Sequence, residues 1–376
     1  MLVNLLWLVP GVVGGSEDSV TDALRAVVDL DEADLELRLA VLGSFPAAHQ
    51  DLVERVGVEV NDLSGANKAR RVLAEQTWLA RTARRTGADV VHHAGGVAPL
   101  VAPGRSVLTI HDLQPLDLPG NFSRTKRAYI TSMIGRSARA AAVVCVPSEF
   151  TRGRVVELLG VEPEKVRVVP WFVHGPRPER SGSSVGSGSD DPPVPAAPYF
   201  LYPAITYPHK QHRLLLDAFS LVAREDPSVT LVLAGGEGQC EADVRARVTA
   251  LGLDDRVRRT GRVSRDRLEA LYSGAAAVVV PSNYEGFGLP ALEAMVRGCP
   301  VVAAAAGSLP EVVAPSDLVD AADVTAWAAA MQSVLALSPL ERAERISQGH
   351  ELAARFSPRR TGTDLVAAYR AAAKTT

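Results

Sequence analysis

Two carboxylates eight positions apart, Glu285 and Glu293, enclose the run Gly286-Phe287-Gly288-Leu289-Pro290. Upstream, Ala275 to Pro281 is a short valine-rich apolar run, the pattern of a buried parallel strand. Downstream, Pro290 suits the first position of a helix, where its missing N–H costs nothing, and Gly298 supplies a stop. Strand, glycine turn and helix place unpartnered amides and the positive end of a helix dipole beside a flexible loop, a ready site for a phosphate. Two acids beside an anion site need another task, and gripping the neutral hydroxyls of a sugar or ribose is one. Solvated charge or plain dipole complementation is the simpler alternative for each acid.

The same run matches the G-x-G-x-x-A form of the dinucleotide fingerprint. That reading demands an acid about twenty positions on, at the end of the next strand. The next strand, Pro300 to Ala304, closes on Ala305-Ala306-Gly307, which offers a ribose nothing, so hydride transfer is disfavoured.

Ser282-Asn283-Tyr284-Glu285-Gly286-Phe287-Gly288-Leu289-Pro290-Ala291-Leu292-Glu293-Ala294-Met295, then Gly298-Cys299-Pro300-Val301-Val302 and Gly307-Ser308-Leu309-Pro310-Glu311-Val312, resembles the signature of retaining nucleotide-sugar glycosyltransferases of the GT-B architecture, family 4-like, group 1. The resemblance implies that Glu285, Gly286 and the amides of Phe287 and Gly288 meet the donor sugar. It gives the Leu289 amide to the diphosphate and Glu293 to the ribose. Lys210, in Tyr207-Pro208-His209-Lys210-Gln211-His212, is similar to the family's donor-phosphate cation. The arginine usual five residues earlier is replaced by Ile205; His209, His212 and Arg262 are the candidates to supply the missing charge. The Pro-His-Lys string looks more like members that transfer mannose or a related deoxy sugar. Arg262 and Val263, in Gly261-Arg262-Val263-Ser264, would border the nucleotide.

Earlier in the chain, Gly14-Gly15-Ser16 follows the first apolar run and opens a helix, so its backbone can approach donor phosphates, and Ser16 suits an N-cap. His111-Asp112-Leu113 ends the strand Ser106–Ile110 and is similar to the family's active-site element, in which the histidine approaches the sugar. His92, His93 and Asp112 are expected on the acceptor side. No metal site is expected: the histidines lack a second ligand pair, Asp29–Asp31 and Asp254–Asp255 read as solvated, and the family's chemistry needs no bound metal. No cofactor is expected beyond the nucleoside diphosphate sugar, which serves as co-substrate.

The elements that must position these residues alternate along the chain. Strand-like runs at Val3–Val9, Leu37–Leu42, Asp89–His92, Ser106–Ile110, Ala141–Val146 and Val166–Val169 are separated by helical patterns at Ser16–Leu30, Ala66–Arg85, Arg124–Arg139 and Ser148–Leu159. After a serine-, glycine- and proline-rich stretch the alternation resumes, with strands at Tyr199–Pro203, Val229–Ala234, Val257–Thr260, Ala277–Pro281 and Pro300–Ala304. Helical patterns accompany them at His212–Arg224, Glu241–Leu251, Arg265–Tyr272, Pro290–Arg297 and Val324–Leu337. The fold class is α/β, with two doubly wound Rossmann-like domains facing a central cleft. The expected division is 1–176, an acceptor-side domain; 177–198, a linker; 199–355, a nucleotide-sugar domain; and 356–376, a helix packing back on the first domain.

Length suits two domains: 376 residues, 47% hydrophobic, 5% aromatic. A net charge of −3 gives no electrostatic case for nucleic acid. Cys145, Cys240 and Cys299 have neither metal nor disulfide spacing; the first and last lie in or beside apolar runs, as small core residues of a protein from a reducing compartment. Met1 to Val13 is apolar but lacks a basic lead and breaks at Pro10-Gly11, so it reads as a strand rather than a leader, and no later run is long enough to span a bilayer. The expectation is a cytoplasmic glycosyltransferase, with peripheral contact at the inner membrane face left open. It would move a sugar to a hydroxyl acceptor: a saccharide, a lipid-linked saccharide or a small molecule. A nucleotide-sugar epimerase on the same architecture and a non-catalytic glycan-assembly module are the alternatives. Base, sugar, acceptor, linkage and oligomeric state are not legible.

Overall fold

The computed structural model describes residues 1–12, 14–101, 104–122, 124–175, 193–196 and 198–374; most of the expected linker 177–198 lies outside them. Two compact units emerge, Met1–Phe172 with Phe356–Thr376, and Val173–Arg355.

The first unit holds a parallel sheet of seven strands: β1 (Leu2–Asn4), β2 (Arg38–Leu42), β3 (Gly57–Asn61), β4 (Val90–His93), β5 (Arg105–Thr109), β6 (Val143–Val146) and β7 (Val166–Val168), in the order β3-β2-β1-β4-β5-β6-β7. The second holds six: β8 (Tyr199–Pro203), β9 (Thr230–Ala234), β10 (Val257–Gly261), β11 (Ala277–Val280), β12 (Val301–Ala304) and β13 (Leu318–Val319), in the order β10-β9-β8-β11-β12-β13. In both, the order reverses beside the unit's first strand, between β1 and β4 and between β8 and β11. Loops leaving the carboxyl ends of those pairs diverge and open a crevice there. The central strands are buried on both faces, which is why they read as unbroken apolar runs.

Several features depart from expectation, among them the two-residue strand β13, too short to leave a readable apolar run. The first strand ends at Asn4 rather than Val9: the buried Asn4 Oδ1 accepts the Leu6 amide at 3.2 Å, and this local bond competes with the ladder. Edge strand β3 leaves no apolar run in the sequence because it is half exposed and carries Glu59 between two valines; Glu59 pairs with Arg85. The helix Pro339–Ala353 shows little apolar periodicity because it is mostly solvated, and its sequence signal is the capping box Ser338 with Glu341, a Ser-x-x-Glu string.

The C-terminal helix Pro358–Lys374 belongs to the first unit, burying Leu365, Val366, Tyr369 and Ala372. Gly362 lets it close on the helix Gly15–Asp29: a Cβ there would stand 2.7 Å from the Ala26 carbonyl oxygen. No helix among the described residues is long and apolar enough to cross a membrane.

Candidate functional site

In the second unit, β8 runs into the short turn Pro208–Lys210, and β11 runs into the loop that carries Glu285. These adjacent loops are tied backbone to backbone, the Asn283 amide donating to the His209 carbonyl at 3.0 Å. Beneath them the buried Tyr202 hydroxyl donates to the Lys210 carbonyl at 2.8 Å and lies 3.0 Å from Ser282 Oγ. Burial and the nearby Glu285 charge push this phenol well above its ordinary range, so it stays a donor. The result brings together two residues 75 positions apart: Lys210 Nζ donates to Glu285 Oε1 at 2.6 Å, with the side chains 16% and 12% exposed. Charge-assisted bonds of this kind are strong where water is scarce.

Glu285 is gripped from behind as well. Its carbonyl accepts the Ser308 amide at 3.2 Å and the Ser308 hydroxyl at 3.0 Å. Gly307 has φ +59°, and a Cβ there would lie 2.7 Å from the Glu285 nitrogen, against backbone that cannot yield. Gly307→Ala is therefore expected to displace the Glu285 loop and to lower the melting temperature by several degrees (roughly 2–4 °C per kcal/mol). An unchanged melting temperature in that variant would show that the loop does not depend on this close approach.

The helix after the glycine turn is Leu289–Val296, one residue earlier than expected, with Pro290 at its second position. Gly288 is the N-cap at φ +105°, a conformation that favours glycine, and no side chain caps the helix. The amides of Ala291 and Leu292 bond back to the Gly288 carbonyl, and Leu289, as the first helical residue, has no intrahelical acceptor for its N–H. One turn along, Glu293 Oε2 accepts the hydroxyl of the buried Tyr272. Arg297 lies 5.1 Å from the Tyr272 ring and donates to the Glu293 carbonyl at 3.0 Å. Tyr272, 21 residues upstream, orients the carboxylate; nothing in the spacing revealed it.

The three candidates for a positive charge near Ile205 differ in their surroundings. His209 and His212 are both buried, and burial pushes each down to about 4, so both are neutral near pH 7. Arg262 is exposed on the loop after β10 and folds over Gly236, its Nε 3.2 Å from where a Cβ would stand. That glycine loop presses on Ala204 and Thr206: Cβ atoms at Gly235 and Gly238 would lie 2.4 and 2.6 Å from their carbonyl oxygens. Arg262 thus shares a loop cluster with Ile205, and the half-buried Val263 follows it.

In the first unit, Gly14 is the N-cap of Gly15–Asp29 at φ +75°, and Gly15 is its first residue, so Ser16 lies inside the helix and does not cap it. Open space surrounds the position of a Gly14 Cβ. Glu17 pins the loop, accepting the Gly11 amide at 2.8 Å on Oε2 and contacting His49 Nε2 at 2.9 Å through Oε1.

His111 is half buried at the end of β5, and Nε2–H donates to the Ala94 carbonyl at 2.9 Å. That bond fixes the tautomer and leaves the Nδ1 lone pair as the acceptor. Desolvation lowers its pKa, opposed by the Ala94 bond and the Asp112 charge. Asp112 Oδ1 accepts the Gln114 amide at 3.1 Å. The expectation that His92 lines an acceptor pocket is not met. It is buried in the core, its Nδ1 3.0 Å from the Tyr369 hydroxyl and its Nε2 2.7 Å from Thr109 Oγ1, so both ring nitrogens are engaged. His93 is 0% exposed, and burial pushes it down to about 4. Parallel strands side by side explain the miss: a histidine on a central strand faces a helix layer, and only a residue past the strand end reaches the crevice.

Cys145 and Cys299 are free and buried, as expected of small core residues. Among the described residues no group of three or more His, Cys, Asp or Glu could hold a metal ion.

Residues 192–351 match the family model described as "Glycosyl transferases group 1", and residues 13–174 match "Glycosyltransferase Family 4". The chain is 30% identical over 257 residues to the O-antigen chain mannosyltransferase B of Escherichia coli, covering 68% of this chain and 66% of that protein. It is 33% identical over 310 residues to a D-inositol 3-phosphate glycosyltransferase of Saccharomonospora viridis, covering 78% and 67%. It thus spans about two thirds of the length of these relatives. Its fold is similar to that of HepE of Anabaena, solved in complex with UDP and glucose, with a TM-score of 0.71 at 21% identity over 98% of both chains.

Proposed function

Because the chain belongs to the group 1 glycosyl transferases, we propose that it moves a sugar from a nucleoside diphosphate sugar to an acceptor hydroxyl, with retention of configuration and without a bound metal. One observation carries this reading: at the β8–β11 reversal, the Lys210–Glu285 ion pair sits on the loop that leads through Gly288 into the helix Leu289–Val296, which carries Glu293 one turn along.

As the glycosidic bond breaks, charge grows on the leaving diphosphate. The Leu289 amide, the dipole of its helix and the Lys210 ammonium would meet that charge, and Arg262 would take the place of the cation absent at Ile205. Glu285 is the group for a sugar hydroxyl. Its Oε1 is already held by Lys210, which makes the carboxylate a poor nucleophile and a well-oriented acceptor. Retention then follows if the leaving oxygen takes the acceptor proton on the same face, with no enzyme nucleophile. Glu293, oriented by Tyr272, holds the ribose hydroxyls. On the first unit, His111 offers a neutral ring nitrogen to a sugar hydroxyl. A relative named for mannosyl transfer supports mannose or a related hexose or deoxyhexose. The buried free thiols fit a cytoplasmic setting.

A thermal-shift screen with UDP, GDP, ADP and dTDP sugars tests the reading. The matching donor should raise the melting temperature as its concentration passes Kd, and release of nucleotide should require an acceptor. A protein that responds to none of these sugars, or one that converts the donor with no acceptor present, sinks it. Glu293→Ala should weaken binding of the free nucleoside diphosphate by about tenfold, as the loss of one charged hydrogen-bond pair would. Calorimetry giving an unchanged Kd would end its assignment to the ribose.

A further inference from the structure

At the carboxyl end of the first sheet the imidazole of His111 lies against two indoles. Trp171 stacks on it, with centroids 5.7 Å apart and planes 27° apart; Trp7 meets it at 6.0 Å and 55°. Trp171 is buried, yet β7 has already ended at Val168, so no strand ladder holds it. The hold comes from the far end of the chain. The Thr361 hydroxyl, 1% exposed in the C-terminal helix, donates to the Pro170 carbonyl at 2.6 Å. Leu365 of the same helix shares the wall of a small cavity with Trp171, His92 and Thr109.

Resting on the glycosyl-transfer reading, in which His111 meets the sugar, we propose that Trp171, seated by Thr361, is a positioning residue for His111. The stacked indole keeps water from one face of the ring and fixes its plane, while Ala94 holds Nε2–H. With both constraints in place, the Nδ1 lone pair points one way and stays unprotonated at neutral pH. The titratable groups that face the ring are Asp112, on its own loop, and His92, on β4 and itself neutral.

The test compares Trp171→Leu, Trp171→Phe, Thr361→Val and His111→Ala in the intact chain, reading kcat, donor KM and the pH profile. Trp171→Leu should lower kcat by about tenfold or more with donor KM nearly unchanged, the mark of an interaction used in the transition state. Its acidic limb should move up toward about pH 6.5 as water reaches the ring. Trp171→Phe, which keeps a flat face, should recover most of the rate, and Thr361→Val should shift both readouts the same way by a smaller amount. Wild-type kcat and pH profile in both Trp171→Leu and Thr361→Val, with His111→Ala inactive, overturns the proposal. If Trp171→Leu does not fold, Thr361→Val and Trp171→Phe decide. Full activity in His111→Ala would instead overturn the functional reading beneath it.

Discussion

Glu285→Gln should abolish most turnover, by about a hundredfold to a thousandfold, while binding the nucleoside diphosphate as well as the wild type or better. The sign of the second effect comes from the ion pair. Lys210 Nζ sits 2.6 Å from Glu285 Oε1, and both side chains are mostly shielded from water. In the free protein that carboxylate competes with any phosphate for the ammonium. Glutamine keeps the shape and removes the competing charge, leaving Lys210 free to meet a diphosphate. The sugar hydroxyl loses a charged acceptor placed against it, and one such preorganised electrostatic contact is commonly worth about 3–4 kcal/mol of barrier. Lys210→Ala should do the reverse, weakening diphosphate binding and stranding Glu285. Calorimetry with the diphosphate and steady-state kinetics with the intact donor separate the two effects. Equal losses in affinity and kcat for Glu285→Gln would mean that Glu285 binds the nucleotide, and its assignment to the sugar would fall.

Mild acid should unfold this protein steeply between about pH 6.5 and pH 4. Burial holds His92 down to about 3 and His93, His209 and His212 down to about 4. Unfolding releases each to about 6.5. Below that value the unfolded chain binds one more proton per histidine than the folded chain, so stability falls as pH falls, by about 1.4 kcal/mol per pH unit for each. Glu75 works in the opposite sense. Desolvation raises it to about 7, against attraction from Arg71, so between about 7 and 4.5 the folded state holds the extra proton and gains stability as pH falls. For these five groups alone, four histidines against one glutamate, the net is about three protons, or roughly 4 kcal/mol per pH unit once titration is under way. Against a typical total of about 5–15 kcal/mol, that exhausts stability within a few pH units. Scanning calorimetry from pH 7.5 to 5 should show the melting temperature nearly flat above 7 and dropping sharply below 6. His212→Gln should shallow the slope by about one proton's worth. A flat melting temperature down to pH 5 would show that the buried rings do not control it.

Much of the architecture was legible because a doubly wound sheet writes itself as valine-rich runs alternating with helices. Leu39–Leu42, Val143–Val146 and Val278–Val280 are buried on both faces, as the strands of a parallel sheet with helices on each side must be. The weak points were elements whose signal is not burial. Strand β3 is half solvated, and the helix Pro339–Ala353 buries only Ala353. The first strand stopped early because one side chain, Asn4, captured a backbone amide, a competition that an apolar run does not reveal.

By itself the sequence determined the parts that are contiguous: the glycine turn between Glu285 and Glu293, the lysine after the first strand of its unit, the histidine past the end of β5, and a family signature spread along the chain. Tertiary structure decided everything that depends on distance in space. It joined Lys210 to Glu285, set Tyr272 under Glu293, clamped the Glu285 loop with Gly307 and Ser308, and seated Trp171 on His111 through Thr361. It also withdrew His92 into the core and buried His209 and His212 so that both stay neutral near pH 7. The reason is physical: residue type and spacing set which groups leave a strand end, but burial and partners set charge, orientation and access, and those come from segments far apart in the chain.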